Sequence, residues 1–225
     1  MKMNSILRKT AAILLCLSLA IGLGACNKKE ETTGDAIDQL EGIILAAWEE
    51  PDSPVVPEDV KAALEKAVDG LLGATYVPVA YLGSQIVSGH NYMVLCRVTP
   101  VVADPVETYA IVTFYEDTEG NVELTDVKDF GVETYLAEGM MGGWSEPESV
   151  ELTDELRAAY EEAGNEDYIP VAVIGQQLVS GMNYRIVAEK QNVEPGHETN
   201  YVIVTLYKPL EGAASITDIA EMPQE

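Results

Sequence analysis

The most informative segment of the chain is Tyr76-Val-Pro-Val-Ala-Tyr-Leu-Gly-Ser-Gln-Ile-Val-Ser-Gly-His-Asn-Tyr92, which recurs 92 residues later as Tyr168-Ile-Pro-Val-Ala-Val-Ile-Gly-Gln-Gln-Leu-Val-Ser-Gly-Met-Asn-Tyr184. Eleven of the 17 positions are identical. The same offset aligns residues 109–115 with 201–207, and Trp48-Glu-Glu-Pro51 matches Trp144-Ser-Glu-Pro147 at an offset of 96. The chain therefore contains two related units of about 90 residues, each long enough for a small domain.

Each unit begins with a helical pattern. In the first unit the helix is predicted from Pro57 to about Val68, with one apolar face formed by Val60, Leu64, Ala67 and Val68. In the second unit Thr153 is a plausible N-cap and Gly164-Asn165 a stop, with an apolar face formed by Leu156, Tyr160 and Ala163. Four strand-like runs follow, near 76–87, 90–99, 107–116 and 121–128 in the first unit, and hairpin turns are predicted at 116–121 and 208–212.

Alternation along the strands predicts which side chains face the core. Met93 and Arg97 correspond to Arg185 and Glu189 in the second unit, so these positions accept charge and are expected to face water. The opposite parity is expected to face the core and contains Tyr92/Tyr184, Val94/Ile186 and Cys96/Ala188. The predicted fold class is α+β, with one helix laid across a four-stranded antiparallel sheet in each of two tandem domains.

The pattern of the first 25 residues indicates an export signal. Lys2, Arg8 and Lys9 precede an apolar run over residues 11–24 that ends in Leu23-Gly24-Ala25-Cys26. This ending resembles the lipobox of bacterial lipoproteins, which implies a lipid on Cys26 and an outward-facing protein anchored to the bacterial cell membrane. The alternative is an ordinary signal peptide followed by a chance cysteine. The predicted organisation is a signal at 1–25, a tether at 26–45 and domains at 46–137 and 138–225.

The charge of the chain argues against two kinds of partner. It has 38 acidic and 13 basic residues, a formal net charge of -25, and loss of the three signal-peptide cations would leave -28. Such a surface repels nucleic acid and anionic lipid headgroups, so the lipid would have to hold the protein at a membrane. With Cys16 removed and Cys26 lipidated, Cys96 remains without a disulfide partner and is expected to be a small buried hydrophobe.

A shared motif suggests the family. It occurs as Gln85-Ile-Val-Ser-Gly89 and Gln177-Leu-Val-Ser-Gly181, each followed by x-Asn-Tyr. At these residues the chain resembles the cystatins, especially the stefins and plant cystatins. Met140-Met-Gly-Gly-Trp-Ser-Glu146 is similar to the stefin opening, and Tyr201-Val-Ile-Val-Thr-Leu-Tyr-Lys-Pro-Leu-Glu-Gly212 is similar to the third strand and second hairpin. The resemblance covers about 139–219 and about 46–127.

The resemblance implies two tandem cystatin-like domains and reversible, tight inhibition of papain-type cysteine proteases. An N-terminal strand would lie along one side of the protease cleft and two hairpins would enter the other, with no covalent step, cofactor or metal. The protease-binding residues it implies are Gly142, Gly143, Trp144, Gln177, Leu178, Val179, Ser180, Gly181, Pro209 and Leu210, with Gln85, Ile86, Val87, Ser88 and Gly89 in the first unit. Dimerisation stays open.

Several alternatives stand beside this interpretation. In one alternative the glycines serve only as hairpin requirements and the Gln and Ser side chains bond the local backbone. Ala46-Ala47 replaces the glycine pair in the first unit, and that unit's second hairpin is acidic, so its inhibition is expected to be weak or absent. Trp48 and Trp144 either cap the core or anchor the N-terminal strand. The alternative function is a non-inhibitory surface module for binding or scaffolding.

No catalytic pattern is present. The two histidines are His90 and His197, and the sequence lacks Cys-x-x-Cys, His-Glu-x-x-His, P-loop and Gly-x-Ser-x-Gly motifs. His90 and Cys96 lie six residues apart on one predicted strand, about 20 Å by strand rise, too far for a dyad. Asp117-x-Glu119-x-Asn121 departs from a calcium loop in its glycine position and lacks the final glutamate. An enzyme is therefore not expected.

Overall fold

The computed structural model describes residues 47–134, 142–191 and 200–222. Outside these ranges lie the predicted signal, Cys26, the tether, Ala46, the join around 137–139, Met140, Met141 and His197. In chain order the elements are α1 (Glu58–Val68), β1 (Ala74–Ile86), β2 (Gly89–Pro100), β3 (Thr108–Asp117), β4 (Val122–Glu133), β5 (Trp144–Ser145), α2 (Asp154–Glu162), β6 (Tyr168–Leu178), β7 (Gly181–Lys190), β8 (Asn200–Pro209) and β9 (Ser215–Glu221). Among the described helices, neither is long and apolar enough to span a bilayer.

Repeat 1, residues 47–134, has a four-stranded antiparallel sheet in the order β1-β2-β3-β4. The predicted helix and strands are confirmed, although β4 runs several residues beyond the predicted end at 128. Pro57 occupies the N-cap of α1 with extended dihedral angles, which suits a residue that cannot donate a backbone hydrogen bond. The buried face of α1 also includes Ala63, which the sequence pattern missed.

Repeat 2, residues 142–222, has the same plan with one short additional strand. Its sheet order is β5-β6-β7-β8-β9. The predicted N-cap of α2 is confirmed, because the Thr153 hydroxyl accepts the backbone N–H of Leu156 at 3.2 Å. Gly164 ends the helical region with a φ of +76°, a conformation that glycine adopts without a side-chain clash. The chain is thus mixed α+β, with two helices and two antiparallel sheets in the described residues.

Each helix packs on one face of its own sheet. In repeat 1, Val60 and Leu64 of α1 meet Val94, Cys96 and Phe114 in a buried cluster. In repeat 2, Leu156 and Tyr160 meet the equivalent strand residues, including Ile186, Ala188 and Leu206. The predicted core parity of β2 and β7 and the burial of Cys96 are therefore confirmed.

The opposite faces of the two sheets pack against each other. This third cluster takes its members from both repeats: Ala80, Leu82, Leu95, Tyr109, Ile111 and Phe130 from the first, and Ala172, Ile174, Val187, Tyr201 and Ile203 from the second. The described residues accordingly belong to one compact unit. The order of layers is helix, sheet, sheet, helix, and the central layer pair buries apolar surface that neither repeat covers by itself.

The prediction that Met93, Arg97, Arg185 and Glu189 face water is wrong. These side chains point toward the other sheet and are only partly exposed. Met93 packs against the intersheet cluster, and the Arg97 side chain is 19% exposed. A charged residue in one copy does not indicate a solvent-facing position here, because the partly buried arginines have anionic or aromatic partners.

Two tyrosines join the sheets in a reciprocal way. The Tyr109 hydroxyl donates to the Ile174 carbonyl at 3.0 Å, and the Tyr201 hydroxyl donates to the Leu82 carbonyl at 3.2 Å. Tyr201 and Ile174 are the 92-residue counterparts of Tyr109 and Leu82, so the contact is self-complementary, as in a two-fold dimer. Burial raises the pKa of Tyr109 to about 12, so its hydroxyl keeps its proton at neutral pH.

The reciprocal bonds set the direction of the sheets. Tyr109 lies at the start of β3, far from the β1–β2 turn, whereas Ile174 lies in the half of β6 nearer the β6–β7 turn. The end of repeat 1 opposite its hairpins therefore lies beside the hairpin end of repeat 2. The two hairpin ends consequently point to opposite ends of the molecule.

Replacing either interface tyrosine with phenylalanine should destabilise the whole chain. Tyr109→Phe and Tyr201→Phe each leave a buried carbonyl without its donor, and we expect a loss of about 1–2 kcal/mol in the free energy of unfolding. Urea denaturation measures this loss. Tyr207→Phe is the matched control, because its hydroxyl also bonds a backbone carbonyl, that of Ser180 at 3.2 Å, but at an exposed position. Interface variants as stable as this control would contradict the role given to the two bonds.

Candidate functional site

Three separate segments of repeat 2 meet at one end of its sheet. They are residues 142–145, the β6–β7 turn at 178–181 and the β8–β9 connection at 209–215, and together we name them the hairpin end of repeat 2. Trp144 pairs with Gln177, and Gly181 pairs with Pro209. Because the strands are neighbours in the sheet, the three segments lie side by side in a row. The structure thus brings together the predicted site residues of repeat 2.

Hydrogen bonds hold this row in place. The Gln177 side-chain amide donates to the Gly142 carbonyl at 2.7 Å, and its oxygen accepts from the Asn183 amide at 2.7 Å. The Tyr207 hydroxyl donates to the Ser180 carbonyl at 3.2 Å. The alternative in which the motif glutamine bonds within the chain is therefore confirmed. Gln177 ties the N-terminal segment to the first turn.

The motif glycines are required by the fold. A Cβ at Gly181 would lie 2.4 Å from the Lys208 carbonyl oxygen, and one at Gly89 would lie 2.2 Å from the Glu116 carbonyl oxygen. Neither position has room for a side chain, because the first strand after the turn runs directly against the next strand. The glycines therefore meet a steric requirement of the hairpins, and a substitution at Gly181 would disturb the fold as well as any binding.

Large apolar side chains project from the hairpin end of repeat 2. Leu178 is 70% exposed, Val179 41% and Leu210 85%. They come from two different turns at the same end of the sheet. The surface is a protruding row and not a pocket, so its geometry suits insertion into a groove on a partner.

Trp144 anchors the N-terminal segment. The guanidinium carbon of Arg185 lies 4.2 Å from the centre of the Trp144 ring, and the ring also lies over Gly175, where a Cβ would approach it to 3.3 Å. Burial lowers the pKa of Arg185, which nevertheless stays protonated at neutral pH because the ordinary value is so high. Trp48 lies over Gly83 in the same way in repeat 1. Each tryptophan therefore packs over a glycine of the neighbouring strand, which is the contact that the anchoring alternative requires.

An ion pair braces the hairpin end of repeat 2 against repeat 1. Arg97 of β2 pairs with Glu146, which follows Trp144 by two residues. The corresponding positions at the other end of the molecule, Glu189 and Glu50, are both acidic and line one small cavity. The internal symmetry is therefore broken at this contact, and the attractive pair is at the hairpin end of repeat 2.

The hairpin end of repeat 1 has the same layout and a different surface. Glu49 pairs with Ser84, and Gly89 pairs with Asp117, so its three segments also lie in a row. Ile86 and Val87 are exposed at the first turn. At the second turn the Asp117 carboxylate accepts the side-chain amide and the backbone N–H of Asn121 and the backbone N–H of Glu119, and these bonds lower its pKa. This turn is a closed polar loop without an apolar tip.

The residues considered for catalysis do not form a site. His90 is exposed beside the first turn, whereas Cys96 is fully buried six residues along the same strand. Burial raises the pKa of the Cys96 thiol to about 12, which keeps it protonated and unreactive. Within the described ranges there is no cluster of three or more acidic, histidine or cysteine side chains placed to hold a metal ion.

Comparison with protein-family models finds no match to this chain, and a search of curated proteins finds none either. The site is therefore interpreted from its own geometry. Sequence reasoning missed the contribution of Arg97, Glu146 and Arg185, which support the hairpin end from the intersheet side. A signal was present, since a charged residue on an otherwise apolar strand face calls for a partner.

Gly181→Ala should destabilise the protein. The added methyl group would overlap the Lys208 carbonyl, and relief requires β7 and β8 to move apart, so we expect a loss of about 1–3 kcal/mol or more. Thermal unfolding followed by circular dichroism measures the loss. Ser180→Ala, at the exposed neighbouring position, is the control and should change stability by less than about 0.5 kcal/mol. Equal stability of the two variants would show that the turn relaxes easily.

The thiol of Cys96 should be protected from alkylation in the folded protein. In a chain starting at residue 27 it is the sole cysteine. With a pKa near 12 it has roughly 10³ times less thiolate at pH 8 than an ordinary cysteine, and it is also buried. We expect iodoacetamide labelling, followed by mass spectrometry, only after unfolding in urea. Rapid labelling of the native chain would contradict the buried, protonated state of this thiol.

The raised pKa of Cys96 also makes the stability depend on pH. Because folding raises this pKa, the thiol's contribution to stability is present below about pH 9 and is lost as the pH rises toward 12.

Proposed function

We propose that the chain is a reversible inhibitor of papain-type cysteine proteases and that the hairpin end of repeat 2 occupies the active-site cleft. The observation that carries this proposal is the row of three segments with exposed Leu178, Val179 and Leu210. A protruding apolar row held by sheet pairing fits a groove-shaped target. The resemblance of the same residues to cystatins gives the identity of that target.

The proposed mechanism is steric. The apolar tips lose water as they enter the cleft, and burial of each such side chain stabilises a complex by roughly 1.5–3 kcal/mol. The turns are already fixed by strand pairing and by the Gln177 and Tyr207 hydrogen bonds, so little conformational entropy is lost on docking. Inhibition needs no bond to the catalytic thiol and no metal or cofactor.

The proposal includes the wider organisation of the chain. Both repeats are cystatin-like domains in this reading, with boundaries at 46–137 and 138–225. Repeat 1 inhibits weakly or not at all, because its second turn is a closed acidic loop and Ala47 is found where repeat 2 has Gly143. A lipid on Cys26 anchors the exported protein at the bacterial surface, where it meets proteases outside the cell. Nucleic acid is not a partner.

The alternative function is a non-inhibitory surface module for binding or scaffolding. The polar second turn of repeat 1 favours it, since one of the two hairpin ends lacks the apolar tip that the inhibitory reading needs. In that case the row in repeat 2 would dock on a different protein groove.

The test is a titration of papain with lipid-free chain containing both repeats. A fragment of residues 138–225 alone is unsuitable, because it would expose the intersheet face with Ile174, Val187 and Ile203. Val179→Asp places a charge in the buried contact and should weaken inhibition at least about 100-fold, equivalent to about 2.7 kcal/mol. Val87→Asp is the matched variant in repeat 1, where Val87 is 43% exposed against 41% for Val179.

The two variants separate the readings. Tight inhibition lost with Val179→Asp and kept with Val87→Asp supports the proposal. Inhibition lost only with Val87→Asp would assign the activity to repeat 1. No inhibition at micromolar concentration, with the fold verified by circular dichroism, would favour the binding module. Papain with a small alkyl group on its thiol should still bind, because the mechanism forms no bond there.

A further inference from the structure

The end of repeat 1 opposite its hairpins exposes a group of aliphatic side chains. Leu72 is 98% exposed, Val101 70% and Val102 61%, and Val106 is also exposed. Leu72 precedes β1, whereas the valines belong to the loop between β2 and β3. The two loops are neighbours, because the Val101 backbone N–H donates to the Gly73 carbonyl at 2.7 Å. We name this group the distal patch. Adjacent exposed aliphatics mark a contact surface more often than scattered ones do.

The distal patch lies on the same side of the molecule as the hairpin end of repeat 2. Arg97 of β2 pairs with Glu146, and Val77 and Pro78 of β1 line one cavity together with Glu146. From Arg97 the chain runs four residues to Val101, about 13 Å at the rise of a strand. In repeat 2, Gln176 lies beside Glu146, because its side-chain amide donates to the Glu146 carbonyl. From Gln176 the chain runs three residues to Val179, about 10 Å toward the β6–β7 turn.

These runs extend in the same direction, because the two sheets pack with their hairpin ends opposed. Packed sheets are about 10 Å apart and cross at about 30°. The distal patch and the Val179 turn are therefore separated by roughly 10–20 Å, well within the footprint of one globular partner.

We propose that the distal patch is a second contact for the same protease that the hairpin end of repeat 2 blocks, an inference that rests on the proposed function. Repeat 1 then contributes to selectivity, because only those papain-type enzymes with a matching surface gain the second contact. The matching protease surface would be apolar and lie beside the cleft. Its rim would be basic, because Asp104 lies in the same loop as the valines on a chain with a net charge of -25.

This assignment explains why the two hairpin ends differ. The ion pair of Arg97 with Glu146 joins the strand that leads to the distal patch to the segment beside the row in repeat 2, and the packed sheets hold both surfaces on one side of the molecule. The other end of the molecule has the polar turn around Asp117 and the two acidic positions Glu50 and Glu189 in place of that pair.

The test measures papain inhibition by the two-repeat chain with Val101→Glu and Val102→Glu combined. We expect the inhibition constant to rise at least about tenfold, mainly through faster dissociation, because two valines lose their apolar contact. Val55→Glu is the matched control at an exposed valine outside the patch, and it should leave the constant unchanged. Circular dichroism verifies that each variant is folded.

The outcomes distinguish this inference from the proposed function. Inhibition that is lost with Val179→Asp but unaffected by the double substitution overturns the distal patch and leaves the proposed function standing. A wild-type chain that does not inhibit papain overturns both. If light scattering shows a dimer that the double substitution converts to monomer, with inhibition unchanged, the patch is covered by a second copy of the chain and the inference is wrong.

Discussion

Face-to-face packing of the two sheets is the constraint on which the remaining structure depends. An antiparallel sheet with a helix on one side still has a second side, and here that side is filled by the other repeat. The Tyr109 and Tyr201 hydroxyls close the contact onto carbonyls of the opposite repeat. Because the bonds are reciprocal, both repeats must keep their strands in fixed register for either bond to form. The packing thus determines the relative direction of the two sheets, the spacing between them and the burial of their inner faces.

The sequence predicts the helices, caps and turns of each repeat well, but it does not predict that the second face of each sheet is covered by the other repeat. Helix bounds, the Thr153 cap and the hairpin turns follow from short-range rules, since capping and turn formation depend on neighbouring residues. The side chains of Leu95 and Val187 are fully buried on the face expected to be wet. Alternation reports that a strand has two faces, but it does not report whether a second layer covers one of them.

The candidate site could be located from the sequence, but the roles of its residues could not. The resemblance implies a role for the motif glycines in protease binding, whereas the structure shows Gly181 in close contact with the Lys208 carbonyl of its own sheet. Gln177 likewise uses its amide on Gly142. Such bonds depend on which strands become neighbours, which spacing along the chain does not specify. What remains for a partner is the apolar tip, and Leu178, Val179 and Leu210 are therefore the residues on which binding should depend.

Duplication with opposed packing has a consequence for recognition. Two identical hairpin ends on opposite ends of a molecule would engage two separate partners. Once the ends differ, each end is composite: the hairpin end of repeat 2 lies on the same side as the distal patch of repeat 1, and the hairpin end of repeat 1 lies beside the start of β8 in repeat 2. The ion pair of Arg97 with Glu146 is formed at one of these composite ends and replaced by acidic residues at the other. A substitution that leaves the fold and the turns of its own repeat unchanged can therefore change recognition, because it alters the position of the neighbouring repeat's turns.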